Sequence, residues 1–268
     1  MKQIKLIVTD LDGTLLDSSG QVTEASRRAI SRAVERGVTV TIITGRMFAS
    51  ARQFVETLGI KSPFGCFNGA MIRDANGGLI AHMPLDLGAA RGVLSFFKDR
   101  GIYVQTYIGD LLCVKDPGDK RAMAYSAIAN VPSTSVGDEV YDPPSAPTKL
   151  LVVTNGIEET AGIMRELSET FGNSLYITSS NPIYVEVLNP EANKGRGLEI
   201  LAKNIGVGME SIMAIGDGNN DVEMVSLAGV GIAMGNGLEK IRSAADDVAP
   251  TNDEDGFAWA VEKYVLCP

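Results

Sequence analysis

The 268-residue sequence predicts an α/β protein in which a Rossmann-like parallel sheet core is interrupted by an inserted α+β domain. Continuous apolar strands alternate with helical patterns in the first ninety residues, and the alternation resumes near the end of the chain. Strands of this kind are typical of a parallel sheet covered on both faces. Between the two stretches the pattern becomes irregular. We therefore expect a core of residues 1–84 and 190–268 and an inserted domain of residues 85–189.

The first part of the core shows two strand–helix units. A β-branched apolar run comes first, and apolar residues then recur at helical spacing until Gly37, a C-cap signal. A second apolar strand is followed by a helical stretch that Gly59 ends. The predicted elements are a strand at 5–9, a helix from 22 to 34, a strand at 38–43 and a helix through 54 and 58.

The inserted part mixes helices with alternating strands, which is typical of α+β architecture. A proline-containing stretch with little periodicity, residues 131–148, predicts a loop or a strand edge. Asn181-Pro182 marks the turn of a hairpin. The predicted elements are a helix at 87–99, strands at 103–107, 111–114 and 149–154, a helix at 158–171, and hairpin strands at 176–178 and 184–187.

After Pro190 the α/β alternation returns. The predicted elements are a helix at 197–204, a strand at 211–215, a helix at 221–228 and a last buried strand at 230–233.

Composition limits the possible partners. The formal net charge of −9 disfavours nucleic acids and anionic membranes, which require basic surfaces, but a small anionic substrate is compatible with it. Three scattered cysteines and one histidine form neither a disulfide framework nor a zinc-ligand cluster. The sequence shows no signal-peptide pattern and no apolar run near the ~18 residues that span a bilayer. We expect a reduced, soluble, cytoplasmic protein; the sequence leaves its oligomeric state open.

Three predicted strands end in polar clusters. Ligands of open α/β sheets bind beyond the carboxyl ends of the strands, so these clusters are expected to converge although they are distant in sequence. The clusters are Asp10-Leu11-Asp12-Gly13-Thr14, Thr44-Gly45-Arg46 and Gly216-Asp217-Gly218-Asn219-Asn220-Asp221.

The clustered residues suit phosphoryl transfer. Several carboxylates at one point repel each other unless a cation lies between them, and an all-oxygen ligand set suits Mg²⁺. A carboxylate such as Asp10 can act as a nucleophile, and Asp12 can serve as general acid and base. Lys194, at the start of the helix after the insertion, can neutralise a phosphate or the nucleophile. Thr44 and Gly45 offer a hydroxyl and backbone N–H groups to a phosphate oxygen.

In order and type, these residues resemble the four motifs of the haloacid dehalogenase superfamily. The quoted positions are Asp10-Leu11-Asp12-Gly13-Thr14, Thr44, Lys194 and Gly216-Asp217 through Asn220-Asp221. About 100 residues lie between the second and third motifs, which resembles the Cof-type subfamily IIB with its type-2B α/β cap. Cys66-Phe67-Asn68-Gly69-Ala70 is similar to a loop that follows the third core strand in that group.

The resemblance implies a Mg²⁺-dependent phosphatase acting on small phosphate monoesters, with sugar phosphates expected first. It implies that Asp10 is the nucleophile and a metal ligand, and that Asp12 is the general acid and base, its carbonyl reaching the metal. It further implies phosphate contacts and metal contacts for a set of other residues. These are Thr44, Gly45, Lys194 and Asn220 for phosphate, and Asp217, with Asp221 in support, for the metal.

Other interpretations stay open at this point. Arg46 either contacts substrate or pairs with a core acid, and Asn68 either contacts substrate or only makes an Asn-Gly turn. The same fold also carries phosphomutases or phosphotransferases, and non-catalytic phosphate-binding modules. Nucleotide and vitamin phosphates are alternative substrates to sugar phosphates.

Overall fold

The computed structural model describes residues 3–267, which divide into two compact units. The first unit holds the described residues up to Gly45, then Arg52–Ala81, and the chain from Asn193 onward. The second unit holds Arg46–Ala51 and His82–Ala192. The outermost residues of the predicted core, 1, 2 and 268, lie outside the described part of the chain.

The strands are numbered in chain order. They are β1 Leu6–Thr9, β2 Thr39–Ile42, β3 Phe64–Cys66, β4 Met71–Arg73, β5 Leu79–His82, β6 Gln105–Ile108, β7 Leu111–Val114, β8 Ser133–Ser135, β9 Lys149–Val153, β10 Tyr176–Thr178, β11 Tyr184–Leu188, β12 Ile212–Gly216, β13 Val230–Ala233 and β14 Asp247–Val248.

The α-helices are numbered in the same way. They are α1 Glu24–Glu35, α2 Phe48–Thr57, α3 Leu87–Asp99, α4 Lys120–Ala129, α5 Ile157–Phe171, α6 Lys194–Ile205, α7 Val222–Leu227, α8 Glu239–Ala244 and α9 Gly256–Val261.

The first unit is built on a five-stranded sheet in the order β14-β13-β12-β1-β2. All four strand pairs are parallel, which confirms the predicted parallel core. The strands are buried along most of their length, as continuous apolar runs require. Side chains of β1, β12 and α6 form one core cluster that includes Leu6, Val8, Leu198, Leu201 and Ile212.

Helices α1 and α6 of the first unit begin at side-chain caps. Thr23 accepts a hydrogen bond from Ser26 N at the start of α1, and Asn193 accepts one from Arg196 N at the start of α6. Each cap satisfies one of the backbone donors that a helix start leaves unpaired. The Asn193 cap matters for the site because it stabilises the first turn of α6, which begins with Lys194.

The second unit contains a six-stranded, mainly antiparallel sheet in the order β10-β11-β9-β6-β7-β8. Helices α3 and α5 bury apolar residues against one face, among them Val93, Phe97 and Leu167 together with Leu150 and Val185 of the sheet. This arrangement is the α+β pattern that the sequence predicted for the inserted part.

The structure refines four parts of the predicted secondary structure. The 131–148 stretch contains the short strand β8 and a 3₁₀-helix at Gly137–Tyr141. Helix α4 was not predicted, because Met123 and Ile128 are exposed and its buried side is mostly small residues. The strand β13 is the last buried strand, and the partly exposed two-residue strand β14 pairs with it at the sheet edge. Helix α6 starts at Lys194, as predicted for that residue, three residues before the helical pattern that begins at residue 197.

Candidate active site

The polar clusters of the first unit do converge at the carboxyl edge of its sheet. Strands β1 and β12 lie side by side, and the Asp10 amide continues their pairing by donating to Ile215 O at 3.0 Å. Asp10, Asp217 and Asp221 each direct a carboxylate oxygen to one place, where these oxygens lie within 4.8 Å of one another. The strand-end prediction is therefore confirmed for the first and third clusters.

Lys194 supplies the positive charge at this place. Its side chain is fully buried, and its Nζ lies 2.7 Å from Asp10 Oδ1 and 2.5 Å from Asp221 Oδ1. The Asp221 contact is a hydrogen bond. The Asp10 contact is an ion pair through Oδ1. Lys194 thus holds both the Asp10 and the Asp221 carboxylates.

Asp217 is held by the loop that follows β1. Thr14 Oγ1 donates to Asp217 Oδ1 at 2.6 Å. Gly13 has a φ of +78°, and a Cβ at this position would lie 2.5 Å from Asp217 Oδ2. Only glycine can therefore take this conformation so close to the carboxylate.

Both carboxylate oxygens of Asp221 already accept hydrogen bonds. Its Oδ2 accepts from the amides of Asp217 at 3.0 Å and Gly218 at 2.8 Å, while its Oδ1 accepts from Lys194. Of the three carboxylates, Asp221 has the least capacity for a further ligand. It orders the loop that presents Asp217.

Burial and mutual repulsion shift the acidities of this cluster. Burial raises the pKa of Asp10 well above its ordinary range; Lys194 opposes the rise, and Asp221, Asp217 and Asp12 add to it. Burial, reinforced by the Asp221 charge, raises the pKa of Asp217 to about 7. For Lys194, burial lowers the pKa, but Asp10 and Asp221 outweigh burial and hold the pKa above its usual value. Without a further cation, the excess negative charge keeps a proton at the site.

These residues fit a divalent cation with oxygen ligands. Asp10 and Asp217 offer carboxylate oxygens that lie close enough to share one ion. Carboxylate oxygens without sulfur or imidazole suit a hard cation such as Mg²⁺. Because Lys194 and two amides already occupy Asp221, we assign Asp10 and Asp217 as the groups able to contact the ion and Asp221 as their support.

Thr44, Gly45 and Asn68 form a second polar group beyond β2. The Thr44 amide donates to Gly65 O at 3.0 Å, and the Asn68 amide donates to Thr44 O at 2.9 Å. Asn68 is fully buried, and its Oδ1 accepts from Asn220 Nδ2 at 2.9 Å, which ties this group to the Asp217 loop. A Cβ on Gly45 would lie 3.1 Å from Asn68 Oδ1.

Asp12 and Arg46 occupy different surroundings. Asp12 is exposed, follows Asp10 by two residues and contributes to the field that acts on Asp10. Arg46 belongs to the second unit, where its Nη1 donates to Ser50 Oγ at 3.1 Å. A substrate contact for Arg46 stays a prediction.

Sequence reasoning gave no role to two residues that shape this site. Thr14 was quoted only as part of a motif, and its strand-end position was the available signal. Asn236 follows β13 and donates from Nδ2 to Gly13 O at 2.8 Å. Its position after a buried core strand was the same signal, but the surrounding Gly235 and Gly237 indicated only a turn.

No α-helix within residues 3–267 combines the length and apolar character needed to cross a bilayer.

Comparisons with known proteins agree with the fold. The 5-amino-6-(5-phospho-D-ribitylamino)uracil phosphatase YwtE of Bacillus subtilis (strain 168) is 29% identical over 98% of this chain and 98% of that protein. The chloroplastic endoribonuclease YBEY of Arabidopsis thaliana is also 29% identical over 97% of this chain, but the chain spans only 46% of that protein's length.

Among solved structures, a haloacid dehalogenase-like hydrolase from Bacteroides thetaiotaomicron has a TM-score of 0.86 at 27% identity, over 97% of this chain and 99% of that one. A family model described as haloacid dehalogenase-like hydrolase matches residues 7–261. The match covers nearly the whole described chain, including every residue of the carboxylate cluster. The chain therefore belongs to the haloacid dehalogenase-like hydrolase family.

Proposed function

We propose that this hydrolase is a Mg²⁺-dependent phosphatase of small phosphorylated metabolites that works through a phospho-aspartate at Asp10. The observation that carries the proposal is the ion pair of Asp10 with buried Lys194 inside a carboxylate-rich site at the carboxyl edge of the sheet. A carboxylate held in place by a buried lysine is suited to attack phosphorus.

The first step forms a bond from an Asp10 oxygen to phosphorus and breaks the bond from phosphorus to the leaving oxygen. Asp12 donates the proton that the leaving alcohol takes up. Mg²⁺, when bound, neutralises charge on the phosphoryl oxygens. Lys194 favours the ionised form of Asp10 and holds its carboxylate in place.

The second step hydrolyses the acyl phosphate. Asp12, now a carboxylate, accepts a proton from the attacking water, whose oxygen bonds to phosphorus as the bond to Asp10 breaks. The products are inorganic phosphate and the free Asp10 carboxylate. Thr44, Gly45 and Asn220 are proposed to bind the phosphoryl group through a hydroxyl, backbone amides and a side-chain amide.

Sugar phosphates are the proposed substrate class, and the second unit is proposed to act as the cap that selects among leaving groups. The relative YwtE supports this class, since its name describes a phosphate on a ribityl chain. A cytoplasmic location is part of the same proposal.

The test is phosphate release from a panel of phosphorylated sugars, sugar alcohols, nucleotides and vitamin cofactors, with Mg²⁺ or EDTA. We expect Mg²⁺-dependent release by the unchanged protein and by the control Asp99→Asn, which alters an exposed residue at the end of α3. We expect no release by Asp10→Asn. An isomerised monoester in place of phosphate would establish a mutase, and ligand binding without turnover by the folded protein would establish a binding module.

A further inference from the structure

The loop that follows β13 touches both loops of the carboxylate cluster. We name residues Met234–Leu238 the clamp loop. The Leu238 amide donates to Asp217 O at 3.2 Å, and Asn236 Nδ2 donates to Gly13 O at 2.8 Å. The clamp loop therefore joins the segment that carries Asp10 to the segment that carries Asp217.

The Asn236 side chain is oriented by a second partner. Its Oδ1 accepts from the Asn252 amide at 3.0 Å, and Asn252 Nδ2 in turn donates to Leu16 O at 2.9 Å. A carboxamide accepts at oxygen and donates at nitrogen, so the bond to Asn252 turns the Asn236 Nδ2 donor toward Gly13. Asn236 thus has one defined orientation although its side chain is exposed.

The peptide that Asn236 holds controls the Asp217 carboxylate. Gly13 lies so close that a Cβ would be 2.5 Å from Asp217 Oδ2, and Thr14, the next residue, donates to Asp217 Oδ1 at 2.6 Å. A rotation of the Gly13 carbonyl would displace Thr14 Oγ1 as well. The Asn236 hydrogen bond is therefore linked to the Asp217 carboxylate through the Gly13 peptide and the Thr14 hydroxyl.

Clamp-loop backbone geometry allows this approach. Gly237 has no room for a side chain, because a Cβ there would lie 2.8 Å from Met234 O and 3.1 Å from Asp217 O. The Gly237 amide donates to Met234 O at 2.9 Å. The loop is packed directly against the backbone of Asp217, so a change in the loop reaches the carboxylate cluster without an intermediate element.

We propose that Asn236 is a positioning residue that holds Asp217 ready for a divalent cation. The inference rests on the proposed function in that it takes the cation at Asp10 and Asp217 to be Mg²⁺. Asn236 acts through Gly13 and Thr14 and touches neither the ion nor the substrate. Loss of such an outer partner typically weakens metal affinity or activity about 10–100-fold.

Two variants separate positioning from charge. Asn236→Ala removes the whole amide, whereas Asn236→Asp keeps the acceptor for the Asn252 amide and removes only the donor to Gly13. The aspartate also adds a negative charge, which by Coulomb attraction alone would tighten the binding of a cation. Weaker Mg²⁺ binding by Asn236→Asp is therefore a result that only positioning explains. Asn204→Ala, an exposed change at the end of α6, is the matched control.

The measurement is Mg²⁺ binding to the metal-free proteins by titration calorimetry, with thermal unfolding to establish that each variant is folded. We expect the Mg²⁺ Kd to rise about 10–100-fold in both Asn236 variants and to stay unchanged in Asn204→Ala. The Mg²⁺ concentration that half-activates phosphate release should rise in parallel, with kcat recovered at saturating Mg²⁺.

Unchanged Mg²⁺ affinity in a folded Asn236→Asp would overturn the inference, as would absence of Mg²⁺ binding by the unchanged protein. If the unchanged protein binds Mg²⁺ but releases no phosphate from any monoester, the proposed function fails. The calorimetric comparison still decides the role of Asn236 in that case.

Discussion

Each unit of the molecule buries one lysine in an ion pair, and the two pairs differ in charge balance. In the second unit, Lys149 Nζ lies 3.1 Å from Glu186 Oε1, with both side chains at most 2% exposed. In the first unit, Lys194 faces Asp10 and Asp221 together, with Asp217 close by. Lys149 is paired with one carboxylate, whereas the single positive charge of Lys194 lies among three carboxylates.

The surroundings of the two lysines match this difference. Lys149 also lies 5.0 Å from the ring centre of Tyr107, and Ser180 Oγ donates to Glu186 at 3.0 Å. Burial lowers the pKa of Lys149, but Glu186 outweighs it and holds the pKa above its usual value, so Lys149 stays charged. At Lys194 the remaining negative charge calls for a further cation. The unbalanced cluster is therefore the one that we propose as the reactive site, whereas the charges of the Lys149–Glu186 pair balance each other.

Removing the lysine from the unbalanced cluster should have the largest effect. Lys194→Met leaves Asp10 and Asp221 buried without their cation, so kcat for phosphate release should fall about 10²–10³-fold. Lys203→Met, an exposed change on the same helix, should leave kcat unchanged. Steady-state kinetics at saturating Mg²⁺ is the measurement. Equal rates for the two variants would show that Lys194 is not part of the chemistry.

For the Lys149–Glu186 pair, removing one charge should destabilise the protein, and removing both should restore most of its stability. Lys149→Met strands a buried Glu186 and should lower the free energy of unfolding by about 3–5 kcal/mol. The double variant Lys149→Met/Glu186→Leu removes both charges and should recover most of that loss, because well-packed apolar replacements of buried pairs are often neutral. Urea unfolding measures both. If the double variant is no more stable than Lys149→Met, the unpaired charge of Glu186 is not the cause of the loss.

Metal removal should destabilise the protein through the unbalanced cluster alone. At a Mg²⁺ concentration of 100 times Kd, binding raises the free energy of unfolding by about 2.7 kcal/mol relative to EDTA. Asp217→Asn should lose this shift, and the double Lys149/Glu186 variant should keep it. Thermal unfolding with Mg²⁺ and with EDTA distinguishes these outcomes, and an intact shift in Asp217→Asn would place the ion elsewhere.

The metal-free protein should also show a pH effect from Asp217. Its pKa is about 7 in the folded protein and about 3.9 in an unfolded chain, so between these values the folded state keeps a proton that the unfolded state has lost. Stability should therefore fall as pH rises from about 4 to about 7, by up to about 1.4 kcal/mol per pH unit from this group. Saturating Mg²⁺ holds Asp217 ionised and should flatten the slope. Urea unfolding in EDTA that shows no steeper slope than in Mg²⁺ would contradict this assignment.

Sequence reasoning correctly predicted the features that depend on where the core strands end. Buried apolar strands place the residues after them at one edge of a parallel sheet, which is why Asp10 and Asp217 could be brought together from sequence alone. Lys194 could be placed because the sequence put it at the start of the helix after the insertion, and α6 does begin there. The oxygen-only composition of the cluster indicated the kind of ion it suits.

Features that depend on tertiary pairing could not be predicted. Lys149 and Glu186 lie 37 residues apart on β9 and β11, and neither segment carries a sequence signal that identifies the other as its partner. Helix α4 lacked a periodic apolar face, so its pattern gave no helix signal. The bond from Asn236 to Gly13 joins residues 223 apart. Such contacts arise from the tertiary fold, and local sequence propensity does not predict them.

The central claim, a phospho-aspartate at Asp10, is tested most directly by trapping the phosphoryl group. A single turnover of p-nitrophenyl phosphate with Mg²⁺ is quenched in acid, and the peptides are mapped by mass. We predict a phosphoryl group on the peptide at Asp10, absent in Asp10→Asn and in EDTA. A phosphoryl group on another side chain, or unchanged turnover by Asp10→Asn, would contradict the account.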